Sequence, residues 1–123
     1  MRILFEAYLE LIRLEYALAR KDFSSIYNHV RTTPVCVHAR STIRAEQVCR
    51  AIEVAAALYF KQALCLQRSA ATACLLKKHG FSGELVIGVQ HLPFVAHAWV
   101  ELDGSVVNDK PYMPQIYSVL TRC

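Results

Sequence analysis

From Ile3 to Arg20 the chain sets Leu4, Ala7, Tyr8, Leu11, Ile12, Leu14 and Leu18 at helical spacing. Glu6, Glu10, Arg13 and Arg20 form the opposing polar face. Asp22 or Ser24 can cap a second, short helix through Ile26 and Val30, which Pro34 ends. Residues 33–40 read as a connector. A third helix is expected to start after Ser41 or Thr42 and run to about Phe60, with Val48, Ile52, Ala55 and Tyr59 on one face. A fourth runs from Cys65 to Lys78 and stops at His79-Gly80, with the glycine where a helix C-terminus favours one.

After Gly80 the period changes. Residues 84–90 are β-branched and apolar, 95–102 alternate, and 105–108 form a third strand behind the Asp103-Gly104 turn. Helices followed by a strand meander predict an α+β domain, its N-terminal helices packed on a small C-terminal antiparallel sheet. No repeat or linker divides residues 1–123. They read as one domain, with a helical part over 1–40 and a core over 41–123.

Composition narrows the function. The chain is 54% hydrophobic, so a sizeable core can form. A net charge of +4 with no basic run interleaved with aromatics argues against nucleic acid. Glu6, Glu10, Arg13 and Glu15 break the N-terminal apolar stretch well short of the ~20 residues a membrane span needs. A cleavable signal pattern is also absent. Five cysteines without a CxxC pair suit reduced thiols in the cytoplasm.

The candidate chemistry lies in Cys65, His97 and Asp109. Cys65 opens the fourth helix, where unpaired backbone N–H groups and the helix dipole favour an anion and can hold an oxyanion. Cys74 lies nine residues on, about 180° around a helix at ~100° per residue, and so faces the core. Cys36, Cys49 and Cys123 have no polar context that suggests chemistry. On the second strand His97, Trp99 and Glu101 alternate with Ala96, Ala98, Val100 and Leu102. The odd set is expected to face the site and the even set the helices. Gln62 could donate to an oxyanion, and Gln67 and Arg68 could line the cleft; these, with Trp99, are the candidate substrate contacts. Glu101 is roughly 13 Å along the strand from His97, too far to touch it. It is expected to pair with a basic residue.

The turn decides whether Asp109 can reach His97. A two-residue hairpin pairs 102 with 105 and turns Asp109 to the face opposite His97. A three-residue loop with Gly104 in a G1 bulge pairs 101 with 105 and sets Asp109 beside His97, roughly 5 Å between Cβ atoms. The expectation is that bulged loop or a later bulge, positive φ at Gly104, and an Asp109–His97 hydrogen bond. A zinc site is the competing use of these residues, but sulfur-bearing zinc sites usually show close-spaced ligand pairs. None occurs, and His29, His38, His79 and His91 are scattered as surface or capping residues. No metal or cofactor is expected, and no phosphate-binding loop is present.

The stretches Cys65-Leu-Gln-Arg-Ser, Glu84-Leu-Val-Ile-Gly-Val-Gln, Ala96-His-Ala-Trp-Val-Glu-Leu-Asp-Gly and Val107-Asn-Asp109 resemble the transglutaminase-like cysteine peptidases of lasso-peptide biosynthesis. The resemblance covers roughly residues 44 to 112. It implies a transglutaminase-like, papain-like core with Cys65 as nucleophile, His97 as general base and acid, and Asp109 as the orienting carboxylate. It further implies removal of the leader from a ribosomally made precursor peptide, ahead of macrolactam closure by an asparagine-synthetase-like cyclase. The first forty residues do not resemble the fused recognition module of some members, so a separate leader-recognition protein is the expected partner. Acyl transfer to an amine and a non-catalytic adaptor role are the alternatives.

Overall fold

The structure is a computed structural model that describes residues 2–19, 23–35, 44–59, 65–91 and 94–123. Four helices lead the chain: α1 (Arg2–Ala19), α2 (Phe23–Thr32), α3 (Ala45–Leu58) and α4 (Cys65–Lys78). Strands β1 (Glu84–His91), β2 (Phe94–Leu102) and β3 (Ser105–Val106) follow. The short helix α5 (Met113–Ile116) and strand β4 (Ser118–Arg122) close the chain. The sheet is antiparallel in the order β3-β2-β1-β4. The α+β architecture is the expected one.

Helix α4 is the centre of the fold. Its run from Gln67 to Lys77 is buried except for Arg68, because α1, α2, α3 and the sheet all pack around it. Small side chains (Ala70, Ala71, Ala73) let the neighbouring backbones approach. Gly80 ends the helix with φ 90°. Gly80 N–H reaches the Lys77 carbonyl at 3.1 Å and Phe81 N–H reaches Leu76 at 2.9 Å, a Schellman closure that turns the chain into β1. The main core joins α1, α3 and α4 to Leu85, Ile87, Ala98 and Val100, the helix-facing side of β1 and β2. A second, smaller core on the other side of the sheet joins Val86, Trp99 and Met113, with Val106 and Tyr117 against it.

Several expectations are corrected. Ile12, assigned to the core, is 42% exposed, and Glu10, assigned to the polar face, is buried. The reason is that α1 buries one stripe, Ala7, Glu10, Leu11 and Leu14, which leaves Ile12 on the open side and takes in Glu10 with ion partners described below. The third strand stops at Val106, two residues early. Neither α5 nor β4 was anticipated. The expected start of α3 at 41–42 and its end at Phe60 lie outside the described residues; within them α3 starts at Ala45, with Arg44 N–H bound to the Gln47 side chain at 2.8 Å. Among the described residues no helix is long and apolar enough to cross a membrane.

Candidate functional site

Cys65 is the first residue of α4, so the N–H groups of that first turn have no partner within the helix. Its side chain is half-buried. Together with Leu66, Ile87, Ala96, His97 and Ala98 it lines an open, almost wholly apolar cavity of about 90 Å³. The small side chains of Ala96 and Ala98 are part of its wall. Cys65 and His97 thus line one space, with no direct hydrogen bond between their side chains among the described residues.

The His97 ring is held from two sides. Its Nε2 lies 2.6 Å from Asp109 Oδ2. Tyr117 lies against the ring with centroids 5.5 Å apart, and Trp99 with centroids 6.2 Å apart. Burial pushes the Asp109 carboxyl up, but the His97 hydrogen bond, the Lys110 N–H at 2.8 Å and the neighbouring positive charges outweigh it. The net result is a carboxyl held below its ordinary value. An ionised carboxylate only accepts, so Nε2 carries the proton and donates it to Asp109. Nδ1 is left as the basic nitrogen. Cys74 and Cys49 are unsuited to chemistry: burial first, then Glu10, pushes Cys74 up to about 11, and burial with Glu53 pushes Cys49 to about 11.

The expected Asp109–His97 contact and the positive φ at Gly104 are both present, but the chain reaches Asp109 by a departure after the turn rather than by the bulged three-residue loop. Leu102 pairs with Ser105 and Glu101 with Val106, so the turn is a two-residue one. Asp103 (φ 53°) and Gly104 (φ 81°) both adopt positive φ, the requirement of a type I′ turn. Continued pairing would send Asp109 to the helix side of the sheet. Instead the ladder ends, and Val100 N–H bonds to the Asn108 side-chain oxygen at 2.7 Å. The chain bends over residues 107–109, and Asp109 comes round to His97.

The remaining candidates are mostly reassigned. Trp99 is fully buried and no cavity wall; its Nε1 donates to Glu101 at 2.9 Å. On the odd face of β2, Met113 of α5 and Tyr117 pack with Trp99, in a segment the sequence did not mark as structured. Gln67 is buried and donates to the Leu11 carbonyl at 2.9 Å, tying α4 to α1. Arg68 is exposed and does not line the cavity. Gln62 lies outside the described residues. Glu101 pairs with Arg122, the basic partner expected for it. Sequence reasoning missed Leu66 and Ile87 in the cavity wall, Tyr117 behind His97, and Asn108. Only Asn108 left a trace, as the residue beside the candidate aspartate.

His29 is not a stray surface residue. A carboxylate oxygen of Glu10, a ring nitrogen of His29 and the Cys74 sulfur lie within 4.8 Å of one another, away from the cavity. Three such donors suit a soft divalent metal. Their surroundings do not: Glu10 already binds the Lys78 ammonium and, at 3.1 Å, the Arg13 guanidinium. Lys77 lies close by, its ammonium on the Val30 carbonyl at 2.6 Å. The cluster is a cation-rich ion-pair network around a buried carboxylate.

Comparison with known proteins bears on the family. The family model described as the transglutaminase-like superfamily matches residues 9–122. The microcin J25-processing protein McjB of Escherichia coli is 43% identical over 58 residues, 47% of this chain. That segment spans only 28% of McjB. No solved structure is a significant match. With a family model covering nearly its whole length, the chain belongs to the transglutaminase-like superfamily.

Proposed function

We propose that the chain is a cysteine endopeptidase that cuts the leader from a ribosomally made precursor peptide of the lasso type. One observation carries the chemistry: Cys65, at the start of a helix, lines one cavity with His97, whose Nε2 is bound to an ionised Asp109. His97 Nδ1 takes the thiol proton, and the sulfur attacks the carbonyl at the leader's last residue. The free N–H groups at the start of α4 stabilise the oxyanion. The imidazolium returns the proton to the departing amine, which frees the core peptide's N-terminus, and water then hydrolyses the leader thioester. Supporting the substrate class are the lasso-peptidase resemblance of residues 65–69, 84–90, 96–104 and 107–109 and the segment shared with a microcin-processing protein. A leader-recognition protein presents the precursor, and an asparagine-synthetase-like cyclase consumes the product.

The test incubates the protein with a candidate precursor and recognition protein, beside Cys65→Ala, and reads the products by mass spectrometry. Two free fragments lost in Cys65→Ala are expected. An amine adduct in place of fragments would identify acyl transfer, and cleavage unchanged in Cys65→Ala would end the nucleophile assignment.

A further inference from the structure

The three proposed site residues stand on separate pieces of chain: a helix start, a strand and a bend. One uncharged side chain joins all three pieces. Val107 N–H donates to the Val100 carbonyl at 3.0 Å, the last backbone rung of the hairpin. In a two-residue hairpin the reciprocal rung would run from Val100 N–H to the Val107 carbonyl. Asn108 Oδ1 takes that proton instead, at 2.7 Å. Its Nδ2 donates to Ser69 Oγ at 3.1 Å, and Ser69 Oγ donates to the Ala98 carbonyl at 3.0 Å. Ser69 is buried one turn after Cys65 on α4, and Ala98 follows His97 on β2.

We propose that Asn108 is the positioning residue of the site: by replacing one rung of the ladder it ends the hairpin register and swings Asp109 onto His97, while its amide ties that bend to the Cys65 helix. The proposal rests on the roles assigned above to Cys65, His97 and Asp109. The chemistry requires an amide. Val100 N–H needs an acceptor, and Ser69 Oγ, whose proton is spent on Ala98, needs a donor. Aspartate has the shape of asparagine but no donor for Ser69, and it would set a second carboxylate next to Asp109. Alanine offers neither group, and Val100 N–H then recovers its partner by restoring the regular rung, which draws Asp109 toward the wrong face.

The experiment uses the full chain in two measurements. Proton NMR of protein labelled with ¹⁵N-histidine follows the His97 Nε2–H held by Asp109, with Asp109→Ala identifying the resonance. Steady-state cleavage of the precursor separates kcat from KM. Asn108→Ala is expected to lose that resonance and to lower kcat about 10- to 100-fold, the cost of misplacing a reacting group by an ångström or less, with KM little changed. Asn108→Asp is expected to fail in the same way. In the Asp109→Ala background, Asn108→Ala should cost less than about twofold more, because it acts through Asp109. A folded Asn108→Ala that keeps the resonance and kcat overturns the proposal, as does a double variant whose losses multiply. Where Asn108→Ala does not fold, Ser69→Ala decides: it keeps the Val100 rung, and an unchanged resonance there refutes the tie to the helix. The NMR readout needs no substrate, so failure of the peptidase assignment, seen as cleavage that ignores Cys65→Ala, is distinct from failure of this proposal.

Discussion

Cys65, Cys49 and Cys74 differ by position more than by chemistry. Cys65 stands at a helix start beside a cavity, whereas Cys49 and Cys74 are buried, with thiols pushed up to about 11. At neutral pH such a thiol is ionised in only about one part in ten thousand. Native protein treated with iodoacetamide should therefore carry the label on Cys65 well before Cys49 or Cys74 by peptide mapping; equal labelling would contradict the assignment. Asp109 gives a pH prediction. Its carboxyl is held below its ordinary value, so the stability it contributes is complete above the ordinary aspartate value (~3.9) and fades as pH falls through the lower native value. Urea unfolding should show wild type more stable than Asp109→Asn at neutral pH, with the gap closing in acid. A gap independent of pH would mean that the ionised carboxylate contributes nothing. At this scale the sequence was readable where helix phase or strand reach decided the matter, as for Cys65 against Cys74 and Asp109 against Glu101. Gln67 and Trp99 were misjudged because a polar atom on a side chain does not say whether water or a buried carbonyl will satisfy it.

Among the elements, β1 and β2 hold the site by register. Gly88 pairs with His97, and a Cβ there would lie 2.7 Å from the Trp99 ring and 2.8 Å from Tyr117 Cβ. Gly88→Ala is therefore expected to cost roughly 1–3 kcal/mol of stability. It should also slow cleavage, because the rings behind His97 must shift. Chemical denaturation beside a kinetic assay checks both, and a variant as stable and active as wild type would show that the packing behind His97 is slack. The four long helices and first two strands were legible because each has a sustained period. The turn was misread because its outcome, a bulge or a clean type I′ turn, depends on where the ladder ends. That point is set by the Asn108 side chain and by Ser69, far off in sequence. Helix α5 and β4 were illegible for a related reason: one is four residues long, and the other is defined by pairing with β1 rather than by its own pattern.

As a whole, the described residues form two cores divided by one sheet, with the cavity of Cys65 and His97 beside it. The main core fixes α4 and hence Cys65; the smaller one backs His97 with Trp99 and Tyr117. Glu101 links the smaller core to the sheet edge through Trp99 and Arg122. Arg122→Ala should cost roughly 1–3 kcal/mol, because it leaves the buried Glu101 carboxylate with the Trp99 N–H alone, the cation itself being partly in solvent. A thermal melt within a degree or two of wild type would contradict this. The central claim is that this assembly carries an acyl group on sulfur. Acid-quenching the cleavage reaction and taking the intact mass, with fragmentation to locate the adduct, tests it most directly. The expected product is the leader, less one water, as a thioester on Cys65 that disappears in Cys65→Ala. A leader adduct on any other residue, or cleavage by Cys65→Ala at the wild-type rate, would contradict it.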